Sequence, residues 1–195
     1  MKNNPIKLIL IDIDGVVYNY VDHLLNNYFA HLGKTQEDIT DYNMTQSLGI
    51  DKSEFWKVCD SADGVFCDGN LYPWAQNLVD LCKRFSPSIA FCSNPGNNPK
   101  HWAEKKCFID KFFNSMPLIT TQNKEALSLD GVVLIDDFEK NYNNFNKGAG
   151  ICILFPRYWN MNRVKPMIDD PVGYVECSLE DIAMTGFKNY KGGKC

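Results

Sequence analysis

Five short apolar runs punctuate this chain: Ile6 to Ile13, Ser88 to Cys92, Pro117 to Thr120, Val132 to Ile135 and Ile151 to Phe155. Most are continuously hydrophobic. A strand with one wet face alternates polar and apolar residues, so runs of this kind suit parallel strands covered on both sides. Helical spacing fills the gaps. Trp74, Leu78, Leu81, Cys82 and Phe85 recur on one stripe after Pro73, which sits well in a first turn. Trp102, Ile109, Phe112 and Phe113 mark a second helix. Phe138, Tyr142 and Phe145 mark a third, ending near Gly148. Ser178, with Asp181 three residues on, is expected to cap a last short helix. This alternation predicts an α/β fold with a doubly wound, mostly parallel sheet.

One stretch breaks the pattern. Between Val16 and Leu71 no strand run occurs, while aromatic and acidic residues are frequent and helix-like pieces span Leu24 to Leu32 and Lys52 to Cys59. An insertion there would stand over the carboxyl edge of the sheet, where such folds bind ligands. We therefore expect a core of residues 1–15 and 72–195, with residues 16–71 as a small helical cap rather than an independent domain.

The first apolar run ends in Asp12-Ile13-Asp14-Gly15. Side chains alternate with period two along a strand, so the two carboxylates leave it on one face, and the glycine allows a sharp turn and close approach to a ligand. Paired acids at a strand end suit a hard cation and a phosphate, one as nucleophile and its neighbour as acid and base. Three further pieces follow strand ends: Ser93-Asn94, Lys124 and Asp136-Asp137. A doubly wound sheet gathers such ends into one crevice. Acids, hydroxyl and ammonium together could hold Mg²⁺ and neutralise charge on a phosphoryl group.

These four motifs, in this order, resemble those of the haloacid dehalogenase phosphatase superfamily. Phe91-Cys92-Ser93-Asn94-Pro95, Leu118-Ile119-Thr120-Thr121-Gln122-Asn123-Lys124 and Leu134-Ile135-Asp136-Asp137 look more narrowly like the 5′(3′)-deoxyribonucleotidase family, as do Phe55-Trp56 and Asn70-Leu71-Tyr72-Pro73. The resemblance runs from about Ile6 to Phe155. It implies Asp12 as the nucleophile that forms an aspartyl-phosphate and Asp14 as the acid and base, both also metal ligands, Asp14 through its carbonyl. It implies Ser93 and Asn94 as phosphate donors and Lys124 as a clamp on nucleophile and phosphate. Asp137 matches the remaining metal-ligand register, with Asp136 in support. The motif-two pair is Ser-Asn where the family commonly reads Thr-Ser, and Phe138 stands where a basic residue is common.

A nucleobase needs a flat apolar slot. Tyr20, Tyr42, Trp56 and Phe66 are candidate walls, and by resemblance Tyr20 and Trp56 correspond best to base-contacting aromatics, with Met44 near another contact; the bland reading of each is cap packing. The implied activity is Mg²⁺-dependent hydrolysis of deoxyribonucleoside monophosphates. Alternatives are a phosphatase of sugar phosphates or other small phosphoesters, and a non-enzymatic phosphate-binding regulator. The net charge of −4 and scattered lysines, such as the Lys105-Lys106 pair, give no field for nucleic acid or membrane. The 8 cysteines form no C-x-x-C pair, and several lie within apolar runs; a reducing cytoplasm is the expected location. The three histidines, His23, His31 and His101, fit no triad or metal spacing. Association as a homodimer is left open.

Overall fold

The computed structural model describes residues 5–160 and 167–190. All five apolar runs become strands: β1 (Leu8–Ile11), β2 (Ile89–Ser93), β3 (Leu118–Thr120), β4 (Val132–Asp136) and β5 (Ile151–Leu154). They form one sheet in the order β3-β2-β1-β4-β5. Every pairing is parallel. The fold is thus the α/β, doubly wound sheet that the continuous runs predict. From β1 the chain moves outward to β2 and β3, then returns to place β4 on the other side of β1. The crevice of such a sheet opens where the direction reverses, between β1 and β4. In that pair Ile11 lies beside Ile135, so Asp12 and Asp136 emerge side by side.

Among the described residues, four helices cover the sheet: α4 (Ala75–Phe85), α5 (Pro99–Phe113), α6 (Glu139–Phe145) and α7 (Pro171–Thr185). Two details differ from the expectation. Ser178 caps nothing; it lies buried in the middle of α7, whose N-cap is Asp170, accepting a bond from the Gly173 amide at 2.9 Å. Pro171 at the first helical position carried the start signal. Trp102 does not join the buried face of α5. It is exposed, and its indole N–H donates to the Gly96 carbonyl. The buried face instead contains His101, Glu104, Lys105, Phe108, Ile109 and Phe113.

The segment after β1 contributes α1 (Tyr20–Asn27), α2 (Met44–Leu48) and α3 (Lys52–Ser61), with single 3-10 turns between α1 and α2. These pieces enclose their own apolar cluster, including Leu24, Phe29, Ile39, Leu48, Phe55 and Val65, distinct from the cluster under the sheet. Phe29 and Phe55 stack face to face at 5.5 Å. Val16, Val17 and Tyr18, by contrast, belong to the sheet's cluster. The segment leaves and returns through paired backbone: Tyr18 bridges Leu71, the Asn19 amide donates to the Asn70 carbonyl at 2.9 Å, and the Tyr72 amide to the Val17 carbonyl at 2.9 Å. No helix among the described residues is long and apolar enough to cross a membrane.

Candidate active site

The turn after β1 sets the geometry. Gly15 has φ +76°, and a Cβ there would lie 2.2 Å from a carboxylate oxygen of Asp137. Only glycine tolerates both the left-handed backbone and that approach. Asp12, on the sheet side of the turn, is buried, and its Oδ1 is 2.8 Å from the Lys124 ammonium. Lys124 is 3% exposed and donates also to Asp136 Oδ2 at 2.7 Å. It thus bridges the ends of β1 and β4.

The two members of the second acid pair differ. Both oxygens of Asp136 are occupied: it accepts from Lys124, from the Phe138 amide at 2.9 Å and from the Asn141 amide group at 3.0 and 3.1 Å. Asp137 accepts from the Trp159 indole through Oδ2 at 3.0 Å, while its buried Oδ1 has no hydrogen-bond partner. An orphaned buried carboxylate oxygen is costly unless something occupies it. Carboxylate oxygens of Asp12, Asp136 and Asp137 lie within 4.8 Å of one another. Hard oxygen donors so arranged fit a divalent cation such as Mg²⁺, with Asp137 able to coordinate and Asp136 already committed to holding Lys124 and the turn.

The electrostatics agree. Burial pushes the Asp12 carboxyl from 3.8 up to about 7, with the Asp136 and Asp14 charges adding to the push and Lys124 opposing it. Burial likewise holds Asp137 well above the carboxylate range, and the Asp12 and Asp136 charges push the same way. Burial disfavours the Lys124 ammonium, but the Asp12 and Asp136 carboxylates outweigh it and raise Lys124 well above its ordinary value. One ammonium among three close carboxylates leaves negative potential that a cation would offset.

Asp14 stands apart. Its Oδ2 is ion-paired with Lys105, while Oδ1 is buried without a hydrogen-bond partner. Its carboxylate is therefore engaged away from the Asp12, Asp136 and Asp137 cluster. Ser93, at the end of β2, is buried with an unpartnered hydroxyl. Asn94 is exposed, and its side-chain oxygen accepts from the Gly96 amide at 3.0 Å, closing a turn. Its amide group remains available to a ligand.

All of these groups except the fully buried Asp136 line one cleft of about 540 Å³ between the sheet edge and the inserted helices. Tyr20, Tyr42, Met44, Trp56 and Phe66 all reach it. They are not equally free. Phe66 and Met44 are buried in the inserted segment's own cluster. Tyr20 stacks on Phe66 at 5.2 Å and 12°. Trp56 is 39% exposed, with Phe55 edge-on against it. Tyr42 has one face covered by Phe138, at 3.6 Å and 12°.

Sequence reasoning missed four residues here. Lys105, read as part of a scattered basic pair, is 1% exposed and holds Asp14. The spacing 101-105-109-113 carried that signal, since Ile109 and Phe113 share its stripe. His101 is buried and also lines the cleft. Trp159 fixes Asp137, and Arg157 is buried among Tyr72, Trp74 and Trp159, donating to the Tyr72 hydroxyl at 2.6 Å and to Gln36. Nothing in the local pattern after Phe155 announced these two.

No protein-family model matches the chain. Its architecture is the haloacid dehalogenase fold: a haloacid dehalogenase-like family hydrolase from Xanthomonas campestris superposes with a TM-score of 0.51 at 11% identity, covering 80% of this chain and 84% of that one. At the level of sequence, the chain is 51% identical over 91 residues to the "Putative nucleotidase BH1399" of Halalkalibacterium halodurans, covering 39% of this chain and 45% of that protein. The match thus spans under half the length of that curated relative.

Proposed function

We propose that this protein hydrolyses phosphate monoesters, specifically deoxyribonucleoside monophosphates, in two steps through an aspartyl-phosphate. The observation that carries the reading is the Asp12–Lys124–Asp136 bridge at the β1/β4 switch, beside three buried oxygens, on Asp14, Ser93 and Asp137, that have no hydrogen-bond partner. The likeness to a protein named as a nucleotidase supports the substrate class.

In the first step an Asp12 carboxylate oxygen attacks phosphorus, and the bond from phosphorus to the ester oxygen breaks. The departing oxygen takes a proton from Asp14. In the second step Asp14 takes a proton from water, the water oxygen attacks phosphorus, and the Asp12–phosphorus bond breaks to release inorganic phosphate. Lys124 and the Ser93 hydroxyl hold the phosphoryl oxygens, and Lys124 also fixes the attacking carboxylate. A magnesium ion held by Asp12, Asp137 and the Asp14 carbonyl would draw charge from the phosphoryl group. The aromatic walls around Tyr20 and Trp56 provide stacking for a base. We assign the inserted helices between Val16 and Leu71 the role of a cap that selects the substrate.

The test is phosphate release from a panel of deoxyribonucleoside monophosphates and sugar phosphates with Mg²⁺. Nucleotides are expected to turn over fastest, and Asp12→Asn to lower that rate by at least about a thousandfold. Faster turnover of sugar phosphates than of every nucleotide would replace the substrate class; full activity in Asp12→Asn would remove the mechanism.

A further inference from the structure

Two adjacent residues of α5 carry buried charges that the chemistry above does not use. Glu104 accepts from the Gly64 and Phe66 amides, each at 2.9 Å, and so pins the chain that leads back from the inserted helices. Lys105 turns to the catalytic side. Its ammonium is ion-paired with Asp14 Oδ2 and sits 4.6 Å from the centre of the Phe66 ring. An ammonium at 1% exposure has lost its hydration, and a held carboxylate and a ring face are the partners that compensate it. The pairing is one-sided for Asp14, because Oδ1 stays without a partner while Oδ2 is engaged. Phe66 is itself immobilised from both sides, by the Tyr20 ring and through its backbone by Glu104.

We infer that Lys105 is the positioning residue for proton transfer: it grips one oxygen of Asp14 so that the other is presented to the ester oxygen of the substrate. This deepens the proposed function and rests on Asp14 being the acid of the first step. In that step the Oδ1 proton of Asp14 passes to the ester oxygen as that oxygen takes the electron pair of its bond to phosphorus. Lys105 keeps its own protons and never touches phosphate. Because its seat is the Phe66 ring, the grip depends on a residue of the inserted segment, and so does the aim of the acid.

The readout that separates positioning from mere structure is leaving-group dependence. A nucleoside oxygen is strongly basic and must be protonated as it departs, whereas p-nitrophenolate leaves without help. In the full chain, Lys105→Met is expected to lower kcat for a deoxyribonucleoside monophosphate by about a hundredfold. Its KM, and the first-turnover release of p-nitrophenolate, which precedes the water step that also uses Asp14, should stay within about threefold. Lys105→Gln, which keeps a donor to Asp14, should recover part of the loss and serves where the Met variant folds poorly. Equal losses of first-turnover release on both substrates, a raised KM with kcat intact, or no change on either would each overturn the inference. A crystal structure of the variant gives a readout independent of turnover: the Asp14 carboxylate should have rotated, and an unchanged carboxylate counts against the role. Should wild-type protein release no phosphate from either ester, the functional reading itself fails, and the carboxylate orientation still decides whether Lys105 aims Asp14.

Discussion

The floor and the roof of the cleft are held by different forces. The floor is ionic and buried: Asp12 and Asp136 share the Lys124 ammonium, Asp137 lies beside them, and both oxygens of Asp136 are engaged. The roof is aromatic: Tyr20, Phe66 and Trp56 meet ring to ring or stand half in solvent. Charge geometry in a low-dielectric site tolerates little change, since moving or deleting one partner strands another. Stacked apolar surface can be repacked with smaller penalties. On the proposed function, the floor would keep one reaction and the roof would change what enters.

The sharpest way to break this contrast is at Lys124. Lys124→Met leaves Asp12 and Asp136 without their shared counterion. It should lower kcat on any phosphate ester by about a hundred- to a thousandfold and also lower the thermal midpoint. Retained activity would show that the floor does not need its ammonium. At the roof, Trp56→Ala removes an exposed ring, so the melting temperature should hardly move. Loss of base stacking, worth about 1–3 kcal/mol, should raise KM for nucleotides roughly tenfold and leave glycerol phosphate turnover nearly unchanged. An equal effect on both substrates would place Trp56 in the reaction rather than in selection.

The smallest effect concerns pH. Without metal the folded protein holds protons on Asp12 and Asp137 that the unfolded chain has released, because burial raises both carboxyls, Asp12 to about 7. Raised values mean that this stability is complete below the ordinary carboxylate range and lost as pH rises through about 7. In a chelator, the thermal midpoint should fall between mildly acidic and neutral pH. Magnesium should restore it at the upper end, since only the deprotonated carboxylates bind. Asp12→Asn should flatten the metal-free curve; an unchanged slope would assign the dependence to other groups.

The same contrast explains what could be read from the chain. Strand cores and strand ends are local. The run Val132 to Ile135 is apolar because both faces are covered, and Asp136 follows at the strand end, where its carboxylate meets Lys124. Asp12, Asp14, Ser93, Lys124 and Asp137 were legible for that reason. Lys105 was only half legible: its helical stripe was a local signal, but a lysine is normally solvated and its partner Asp14 lies 91 positions away. Arg157 and Trp159 were hidden likewise: their partners Tyr72 and Asp137 are brought to them only by the tertiary fold. The start of α7 is a different kind of miss, because Asp170-Pro171 was a local signal that Ser178 outcompeted.

The paired backbone at Tyr18–Leu71 has a consequence for how such a chain can diversify. The bridge there is antiparallel, so to the sheet everything between its two ends resembles a hairpin closed at its base. Closing a longer or shorter excursion at that point costs little additional entropy, because the cost grows only logarithmically with length. A replacement would have to supply at least a ring over Lys105, two amides for Glu104, an acceptor for Arg157 and partners for the Tyr18 hydroxyl and Lys100. On the proposed function, grafting at this seam would be a route to new substrates that leaves the strand-end acids where they are.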